Sequence, residues 1–551
     1  MPIDDKIYQA YLEELQQIEK FRGANSNLFE ETPLNSDDPY TKRLIEAIAF
    51  FGARARLQGV KRMTMIHQRL FRQYFPYLVN PLPAIAMMQA TPSLRFPQKV
   101  VLPAGSELIF KTSNQQKASF QTLSTLDVVP IFQKKFELTR TEGRFWRCTI
   151  EYAALHTNTE EVGTLKLFIN HLNSFYSSLK AAFAMQCSLE KVQVFYDSSK
   201  LEAGQGYNCT VHFGTDHEDS TVFRHEFEKL RSLLHLPQQE LYISFEIPPL
   251  GKNWKTMTLC LDFNEHWPES IKLNADSLIP FVVPVVNFKK AYADPIVCDG
   301  TKDSHPVLYP EAASQSELHT VIAVSELLSQ GAKTLNPGIL GFGSESYEID
   351  YFNQQISLDL PEAFIDPKTI SILALWTQPW FSNYFNDELE LHFNEAQSFG
   401  LGVRLLGPLY RHEKTIEDDP NFLIRILSLK NQNHLNLSEI LFILNSMKKL
   451  GQSFFDAVPD WIQDLKIHQK MDKRHLSSVI EYEFFLKDWG GQRWEAGLLF
   501  FKYIHRMLNC WLPNFEIETK VHFPQIKKPL IIKQGKQHEL SAMAGYFFLS
   551  Q

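Results

Sequence analysis

The chain has 551 residues, of which 44% are hydrophobic and 21% are charged, and its formal net charge is −8. This length exceeds what one hydrophobic core usually supports and predicts three or four domains of about 100–200 residues each. The acidic balance argues against a nucleic-acid-binding protein, because such proteins usually carry a clear basic excess.

Cysteine usage and hydropathy indicate a cytoplasmic protein. The six cysteines are scattered and form no CxxC motif, which is typical of a reduced compartment. The first twenty residues are charged throughout and lack the apolar core of a signal peptide. No run approaches the roughly 20 apolar residues that a membrane-spanning helix needs, so direct membrane insertion is not predicted.

The N-terminal ninety residues show helical periodicity. Residues 4–22 predict an opening helix. A further helix is predicted to start at Asp38, as its cap, and Pro39 in its first turn. Apolar residues then recur four, three and four positions apart on one face of that helix, and they are Leu44, Ile48, Phe51 and Ala55.

A second helix is predicted after this one, which would give a helical hairpin. Its apolar face consists of Met63, Ile66, Leu70 and Tyr74. The helix should end at Phe75, because the residue before Pro76 is disfavoured in the α region. Apolar faces on long helices with little else to cover them are expected to pack on another chain. Two interpretations are open for the basic residues of the hairpin, contact with an acidic partner and the solvated side of amphipathic helices, of which the second is the commoner. These residues are Arg43, Arg54, Arg56, Lys61, Arg62, Arg69 and Arg72.

The remainder of the chain is predicted to be rich in strands, so the expected fold class is α+β and multidomain. Short β-branched and aromatic runs separated by Gly, Pro, Ser and Asn are typical of sandwiches and barrels. The predicted segments are an N-terminal helical core-bundle unit at 1–90, a β-rich domain with two inserted helices at 91–289, an irregular β-rich domain at 290–417 and a C-terminal α+β domain at 418–551. The inserted helices are expected at 174–185 and 223–236.

The C-terminal domain is predicted to begin at the acidic turn 417–420. Asn436 and Glu439 have the spacing of a capping box at the start of a helix. A strand is expected at 479–487, followed by a helix that ends near Leu512 and a further strand after Asn514.

A search for catalytic or metal-binding motifs gives no assignment. His225-Glu226 begins like a zinc protease motif, but Lys229 occupies the position of the second histidine. One cluster of polar residues has two interpretations, a set of metal ligands or an exposed polar loop. The cluster consists of His212, His217, Glu218 and Asp219. No catalytic, cofactor-binding or metal residue is therefore predicted.

Two further patterns are considered as ligand sites. Gly341-Phe342-Gly343 is similar to the start of a dinucleotide fingerprint, but Ser346 stands at the third glycine position. Trp254, Trp267 and Trp380 would offer stacking surfaces for sugars if they were exposed, and burial is the simpler interpretation. The tryptophans leave one alternative function open, which is a cytosolic multidomain β-sandwich enzyme acting on carbohydrate.

Ordered residue groups at both ends and in the middle of the chain follow a known pattern. The groups are Asp38-Pro39, Arg43-Leu44, Phe50, the block 74–78, the block 81–84, the block 102–106, Pro284-Val285-Val286-Asn287-Phe288, Gly497 with Phe501, and Asn514-Phe515. This order resembles the TssF (VasA/ImpG) family of type VI secretion baseplate subunits. The chain departs from the family at 378–382, where Gln-Pro-Trp-Phe-Ser replaces the usual Asn-Arg-Asp-Leu-Pro element.

The resemblance implies a structural, non-enzymatic baseplate subunit of a contractile injection machine. It implies wedges in which two copies of the chain bind one TssG-like subunit, together with TssK-like and TssE-like subunits, around a VgrG-like spike and beneath the sheath. It also implies a cytoplasmic baseplate docked on an inner-membrane complex of a Gram-negative bacterium. We expect the TssG-like partner to contact Leu44, Ile48, Phe51, Ala55, Leu70, Tyr74 and Phe75.

Overall fold

The computed structural model describes most of the chain. The described residues are 5–24, 39–141, 145–156, 161–197, 206–215, 222–223, 225–250, 253–302, 304–311, 315–338, 345–351, 353–384, 389–394, 399–414, 416, 420–472, 477–488, 493–524 and 529–533. The predicted helix cap at Asp38 and most of the acidic turn at 417–420 lie outside these residues.

Helices and many strands together confirm a strand-rich fold with helices, as expected for the α+β class. The helices of the described part of the chain are α1 (Asp5–Ala24), α2 (Pro39–Tyr74), α3 (Pro76–Val79), α4 (Phe175–Ser188), α5 (Glu226–His235), α6 (Pro420–Leu429), α7 (Leu437–Met447) and α8 (Trp494–Trp511). The strands of the same part are β1 (Ile85–Pro92), β2 (Val100–Leu102), β3 (Glu107–Thr112), β4 (Lys117–Thr122), β5 (Leu126–Val128), β6 (Ile131–Arg140), β7 (Trp146–Ala154), β8 (Thr164–Ile169), β9 (Leu189–Tyr196), β10 (Tyr207–Asn208), β11 (Thr210–Phe213), β12 (Tyr242–Glu246), β13 (Thr256–Phe263), β14 (Leu278–Pro280), β15 (Val282–Val286), β16 (Lys289–Tyr292), β17 (Ile296–Cys298), β18 (His305–Pro306), β19 (Glu317–Leu328), β20 (Gly331–Pro337), β21 (Ser346–Asp350), β22 (Gln355–Asp359), β23 (Lys368–Thr377), β24 (Leu389–Phe393), β25 (Leu401–Tyr410), β26 (Ile462–Asp472), β27 (Ser477–Leu486), β28 (Glu516–His522) and β29 (Leu530–Ile532).

The chain divides into two compact units. The smaller unit contains Met1–Pro76 and Glu417–Asn431, and the larger unit contains Tyr77–Ile416 and Gln432–Gln551. Helix α6 thus groups with the N-terminal helices, which the sequence did not suggest. The division into four segments at residues 90, 289 and 417 stays a prediction.

Helix α2 is one continuous helix, so the prediction of two helices between residues 38 and 74 is wrong. It contains 36 residues and is therefore about 54 Å long, at about 1.5 Å per residue. Gly59 lies inside it, and a mid-helix glycine costs only about 1 kcal/mol relative to alanine. The surrounding Ala, Arg, Leu and Met residues favour helix and outweigh that cost. Pro39 occupies its first turn, as predicted.

The smaller unit is held together by packing on one side of α2. Helices α1 and α6 both contact α2. Ala49 and Ala53 are buried on α2 and Ala10 is buried on α1, and such small residues let helix backbones approach closely. Arg56 of α2 pairs with two carboxylates of α1, at 2.6 Å to Glu13 and 3.2 Å to Glu14.

The larger unit is built on a six-stranded sheet in the order β24-β3-β4-β15-β1-β25. Strand β15 is buried along its whole length. It pairs antiparallel with β1, where Val283 lies opposite Met88, and with β4. A strand that is covered on both faces of its sheet needs apolar residues at every position, which explains why this stretch of sequence is a continuous apolar run.

Asn287, directly after β15, connects three segments of this unit. Its side-chain Nδ2 donates to the Ser119 carbonyl at 2.9 Å, and its Oδ1 accepts from the Gln378 backbone N–H at 2.6 Å. Residue 378 begins the stretch in which the sequence departs from the family pattern. That stretch continues as the 3₁₀ helix Pro379–Tyr384, where the Ser382 Oγ accepts from the His412 backbone N–H at 3.0 Å. The residues that differ from the family pattern are therefore held in the larger unit by backbone and side-chain hydrogen bonds.

Two further sheets contain the strands that flank the inserted helices in sequence. Their strand orders are β10-β9-β13-β7-β6 and β11-β12-β8-β14. The predicted helices at 174–185 and 223–236 are confirmed as α4 and α5, each within a few residues of the expected bounds. Helix α5 ends before Pro237, which starts a 3₁₀ turn.

An eight-stranded sheet follows, formed by strands between residues 289 and 377. Its order is β16-β23-β19-β20-β21-β22-β18, and β17 also pairs with β23. Alternate residues of β23 point into a hydrophobic core, and they are Ile370, Ile372, Ala374 and Trp376.

The last sheet has the order β26-β27-β28-β29 and carries α7 and α8. Strands β27 and β28 are parallel, because α8 returns the chain to the same end of the sheet. The predicted capping box of α7 is confirmed. Asn436 Oδ1 accepts from the Glu439 N–H at 3.0 Å, and Glu439 Oε2 accepts from the Asn436 N–H at 2.7 Å. The sequence did not predict β26, which is the first strand of this sheet.

Gly400 requires its glycine, which gives a testable prediction. Its φ is +86°, and an added Cβ would lie 2.7 Å from the Phe96 backbone nitrogen. We expect Gly400→Ala to lower the free energy of unfolding by roughly 1–3 kcal/mol, through left-handed strain and this close approach. Gly402→Ala is the matched control, because its Cβ would meet only the Thr91 carbonyl at 3.6 Å. Equal thermal unfolding midpoints for the two variants would contradict this explanation.

Candidate partner interface

An apolar stripe runs along the side of α2 that faces solvent. It begins with Leu44, Ile48 and Phe51, whose side chains are 62%, 56% and 66% exposed. The stripe also includes Ala55, Leu70 and Tyr74, all of which are exposed. Six of the seven residues expected at a partner interface are thus accessible on one helix. We call this surface the α2 stripe.

Two further residues extend the α2 stripe between Ala55 and Leu70. Met63 and Ile66 are 54% and 53% exposed and continue the same helical spacing. The sequence already placed them on an apolar face, but it assigned them to a separate helix. Because α2 is continuous, the stripe spans most of its length.

Phe75 differs from the other predicted interface residues because it is buried. Its ring lies 5.3 Å from the Phe71 ring, and its N–H donates to the Phe71 carbonyl at 2.7 Å. The ammonium of Lys430, just after α6, lies 5.9 Å from the centre of the Phe75 ring. In this conformation Phe75 supports the end of α2 from inside the unit and offers no surface to a partner.

The basic residues of α2 divide into two groups. Arg56 is held by the two carboxylates of α1, whereas Arg43, Arg54 and Arg62 have exposed side chains. The side chains of Lys61, Arg69 and Arg72 lie outside the described part of the chain. Exposed arginines beside an apolar stripe fit the polar rim that surrounds the apolar centre of many interfaces.

A second notable site lies inside the larger unit, around Arg231 of α5. Its Nη1 donates to the Tyr77 carbonyl at 2.7 Å and its Nη2 donates to the Asn80 carbonyl at 2.8 Å. Its Nε is 3.4 Å from the carbonyl of Met447, the last residue of α7. The guanidinium therefore joins α5 to the chain that leads into β1 and to the end of α7.

A cavity of about 20 Å³ adjoins Arg231, and its lining includes Tyr77, Ser232, His235 and His319. This volume is close to the space that one water molecule occupies, and it is far smaller than a substrate pocket. The pocket therefore has room for about one water molecule beside Arg231.

Three histidines near Arg231 are held neutral, of which His235 and His319 are buried and His412 is half-buried. Burial, with Lys448 nearby, lowers the pKa of His235 to about 3. Burial also lowers the pKa of His319 to about 3 and that of His412 to about 4. Lys448 itself pairs with Glu413, whose backbone forms a bridge to Leu82 just before β1.

Comparison with known proteins identifies the family. The sequence model of the family described as "Type VI secretion system, TssF" matches residues 3–339. The chain belongs to the TssF family.

Two solved structures share the fold. One is described as the type VI secretion system TssK-TssF-TssG baseplate subcomplex, determined by cryo-electron microscopy. The chain matches it with a TM-score of 0.68 and 16% identity over 90% of this chain and 98% of that one. The other is described as the baseplate complex from the type VI secretion system, with a TM-score of 0.57 and 14% identity over 96% of this chain and 98% of that one. No curated protein matches the chain.

Two histidines of the motifs considered for catalysis, His225 and His212, make local contacts in this TssF-family chain. His225 caps α5, where its Nδ1 accepts from the Phe227 N–H at 3.1 Å, and its ring stacks on Tyr77 at 3.9 Å. His212 lies 3.2 Å from Glu246 across a strand pair. The other members of that candidate cluster, His217, Glu218 and Asp219, lie outside the described residues, as does Gly341-Phe342-Gly343.

Within the described residues, no group of three or more His, Cys, Asp or Glu side chains is arranged to hold a metal ion. None of the helices in the described part of the chain combines the length and apolar character that crossing a membrane requires. All six cysteines are free thiols, and burial raises the pKa of Cys187 to about 12.

The hydrogen bonds of Arg231 predict a large effect of its removal. Arg231→Met leaves the Tyr77 and Asn80 carbonyls without these donors in a buried site, so we expect a loss of roughly 3 kcal/mol or more in the free energy of unfolding. Lys229→Met on the same helix is the control. It removes only the Glu226 ion pair near the surface, which is worth about 0.5 kcal/mol or less. Denaturant unfolding of both variants measures the difference, and similar losses would contradict the role given to Arg231.

The neutral histidines predict a stability that depends on pH. In the unfolded chain a histidine takes up its proton near pH 6.5, whereas in the folded chain His235, His319 and His412 take it up only near pH 3 to 4. Their contribution is therefore present above about pH 6.5 and is lost as the pH falls toward 4.

The measurement is the free energy of unfolding at pH 7, 6 and 5. His412→Gln should reduce the decline by up to about 1.4 kcal/mol per pH unit, which is the effect of one proton. A stability that does not change across this range would show that these histidines take up protons equally in the folded and unfolded chains, and it would contradict their lowered pKa values.

Proposed function

We propose that this chain is a structural baseplate subunit of a type VI secretion system that acts by binding other subunits. The observation that carries the proposal is the α2 stripe, a row of exposed apolar side chains on one long helix. Family membership supports it. So does the fold shared with structures described as a TssK-TssF-TssG baseplate subcomplex and a baseplate complex.

The physical argument begins with the free energy of the α2 stripe. Burying one large apolar side chain contributes about 1.5–3 kcal/mol, so leaving Leu44, Ile48, Phe51, Ile66 and Leu70 in water forgoes a large part of the available stabilisation. Soluble monomers rarely expose a continuous apolar surface of this kind. A partner helix laid along α2 would cover the stripe at helical spacing.

The proposed assembly is a wedge in which two copies of the chain bind one TssG-like subunit through the α2 stripe. TssK-like and TssE-like subunits join the wedge, and wedges surround a VgrG-like spike and seat the sheath. In this proposal the baseplate lies in the cytoplasm, docked on an inner-membrane complex. The chain contributes geometry and binding surfaces, and it performs no catalytic step.

The alternative of a carbohydrate-active enzyme gains no support from the tryptophans that suggested it. Trp254 and Trp267 are buried, so their rings offer no face to a sugar. The half-buried Trp380 is packed edge to face against Phe381 at 5.7 Å and Tyr384 at 6.1 Å.

Co-expression with the TssG-like protein of the same genome, followed by native mass spectrometry, tests the proposal. The expected result is a complex of two copies of this chain with one partner. A monomer of this chain beside a folded, unbound partner would overturn the proposal.

The α2 stripe itself predicts the effect of charge. Ile48→Asp with Phe51→Asp places two carboxylates in a buried apolar contact, and such desolvation should weaken the complex at least 100-fold. Ile365→Asp is the matched control, because Ile365 is 90% exposed and lies in the larger unit. The dissociation constant by titration measures the effect. Unchanged binding by the double variant, with helix content preserved, would exclude the α2 stripe as the interface.

A further inference from the structure

The chain passes between its two compact units three times, directly after Pro76, after Ile416 and after Asn431. The first passage follows α2, and the other two lie on either side of α6. The parts of the larger unit next to these passages all lead to the polar site around Arg231. We call them the connecting segments, and they are residues 77–84, 410–414 and 432–449.

The first connecting segment is anchored through its backbone and one side chain. Arg231 of α5 donates to the carbonyls of Tyr77 at 2.7 Å and Asn80 at 2.8 Å. The side-chain Nδ2 of Asn80 donates to the Thr320 hydroxyl of β19 at 3.0 Å. At the end of the segment, the Ala84 carbonyl accepts from the backbone N–H that follows β15 at 2.8 Å. The segment is therefore fixed at both ends before the chain enters β1.

The second connecting segment is joined to the first by a backbone bridge. The Leu82 N–H donates to the Glu413 carbonyl at 2.7 Å, and the Glu413 N–H donates to the Leu82 carbonyl at 2.9 Å. Close by in the same segment, the Tyr410 hydroxyl accepts from the Gln238 amide, just after α5, at 2.9 Å. A bridge of two hydrogen bonds has no ladder of its own to support it, so side-chain contacts must keep the two segments together.

The side chain of Glu413 reaches the third connecting segment, at the end of α7. Its Oε2 pairs with the ammonium of Lys448, which is 6% exposed, and its Oε1 lies 3.4 Å from the Lys449 N–H. Arg231 reaches the same place, because its Nε lies 3.4 Å from the Met447 carbonyl. A buried ion pair of this kind leaves an uncompensated charge when either partner is removed.

The charge balance of the site links Glu413 to Arg231 as well. Burial lowers the pKa of Arg231 to about 10, whereas the carboxylates of Glu228 and Glu413 act in the opposite direction and favour the charged guanidinium. Glu413 is therefore a counter-ion for two buried cations, Arg231 and Lys448. Its carboxylate lies where the three connecting segments meet.

We propose that Glu413 joins the three connecting segments into one junction, with its backbone bound to the first segment and its carboxylate bound to the third. The junction forms only when all three segments are in place, so the segments open together and below the free energy of global unfolding. The covalent connections of α2 and α6 to the larger unit are thereby gathered at one side chain. This property belongs to the chain alone and does not depend on the proposed function.

Hydrogen exchange of the Leu82 amide tests the proposal, because this residue is unaltered in every variant. The variants are Glu413→Gln, Lys448→Met and the double variant with both changes, and exchange is followed by mass spectrometry with residue-level fragmentation. We expect each single variant to speed exchange of the Leu82 amide at least tenfold, since it leaves one buried charge without its partner. The double variant removes both charges, so it should exchange at least threefold more slowly than Glu413→Gln.

Two controls separate opening of the junction from other effects. Glu226→Gln is the matched variant, because its carboxylate pairs with Lys229 near the surface, and it should leave exchange of the Leu82 amide unchanged. The amides of β13, which is paired on both sides by β7 and β9, report global unfolding.

The outcomes are distinct. Faster exchange of the Leu82 amide in the single variants, with unchanged exchange in β13, supports the junction. Unchanged exchange of the Leu82 amide overturns it. Equal acceleration of Leu82 and β13 also overturns it, because the segments would then open only with the whole chain. A double variant that exchanges as fast as Glu413→Gln would show that pairing with Lys448 is not what holds the segments, and this too would overturn the proposal.

A double-mutant cycle provides a second measurement, in which denaturant unfolding is compared for Arg231→Met, Glu413→Gln and both together. Residues that act in one network lose less when the second is removed than when the first is. We expect the combined effect on the unfolding equilibrium constant to be at least tenfold smaller than the product of the two single effects. A combined effect equal to that product would show independent sites and overturn the proposal.

Discussion

The larger unit depends on a buried guanidinium. Arg231 is 4% exposed, and a cation in such a place is costly unless its N–H groups are hydrogen-bonded. Here they donate to the carbonyls of Tyr77 and Asn80, and the Nε lies near that of Met447. These carbonyls belong to the chain just before β1 and to the end of α7, so one side chain gathers segments far apart in sequence. The guanidinium thus holds the chain just before it enters β1 of the central sheet.

The histidines around this site show that titratable groups serve structure in the larger unit. His235 and His319 are neutral because burial lowers their pKa values, and the low pKa values hold a polar cluster uncharged beside Arg231. His225, which begins like a zinc protease motif in the sequence, is the N-terminal cap of α5. Shifted pKa values often mark catalytic sites, but structural networks produce them as well. The small cavity beside these residues is consistent with the second explanation.

The surfaces of the chain fall into two kinds, and the difference bears on function. Some sheet faces carry cross-strand ion pairs, such as Lys134 with Glu151, and these faces are compatible with water. The α2 stripe instead presents apolar side chains to solvent. A protein that works by assembly gains specificity from this contrast, because charged surfaces exclude unwanted contacts while uncharged ones are left for partners. The α2 stripe belongs to one helix, which holds its side chains in fixed positions before a partner arrives.

The sequence by itself determined the features that depend on neighbouring residues. The capping box at Asn436 and the helix end before Pro237 are interactions within a few residues, so local chemistry specifies them. The face of α2 with Ile48 and Phe51 also followed from spacing alone. Tertiary structure decided the rest. Whether Phe75 lies inside or outside the smaller unit depends on α6, which is distant in sequence. The core beneath the eight-stranded sheet exists only because β16, β17, β19 and β23 pair in one register. Such pairings are set by long-range contacts, and the local pattern of a single strand cannot encode which face its partners will cover.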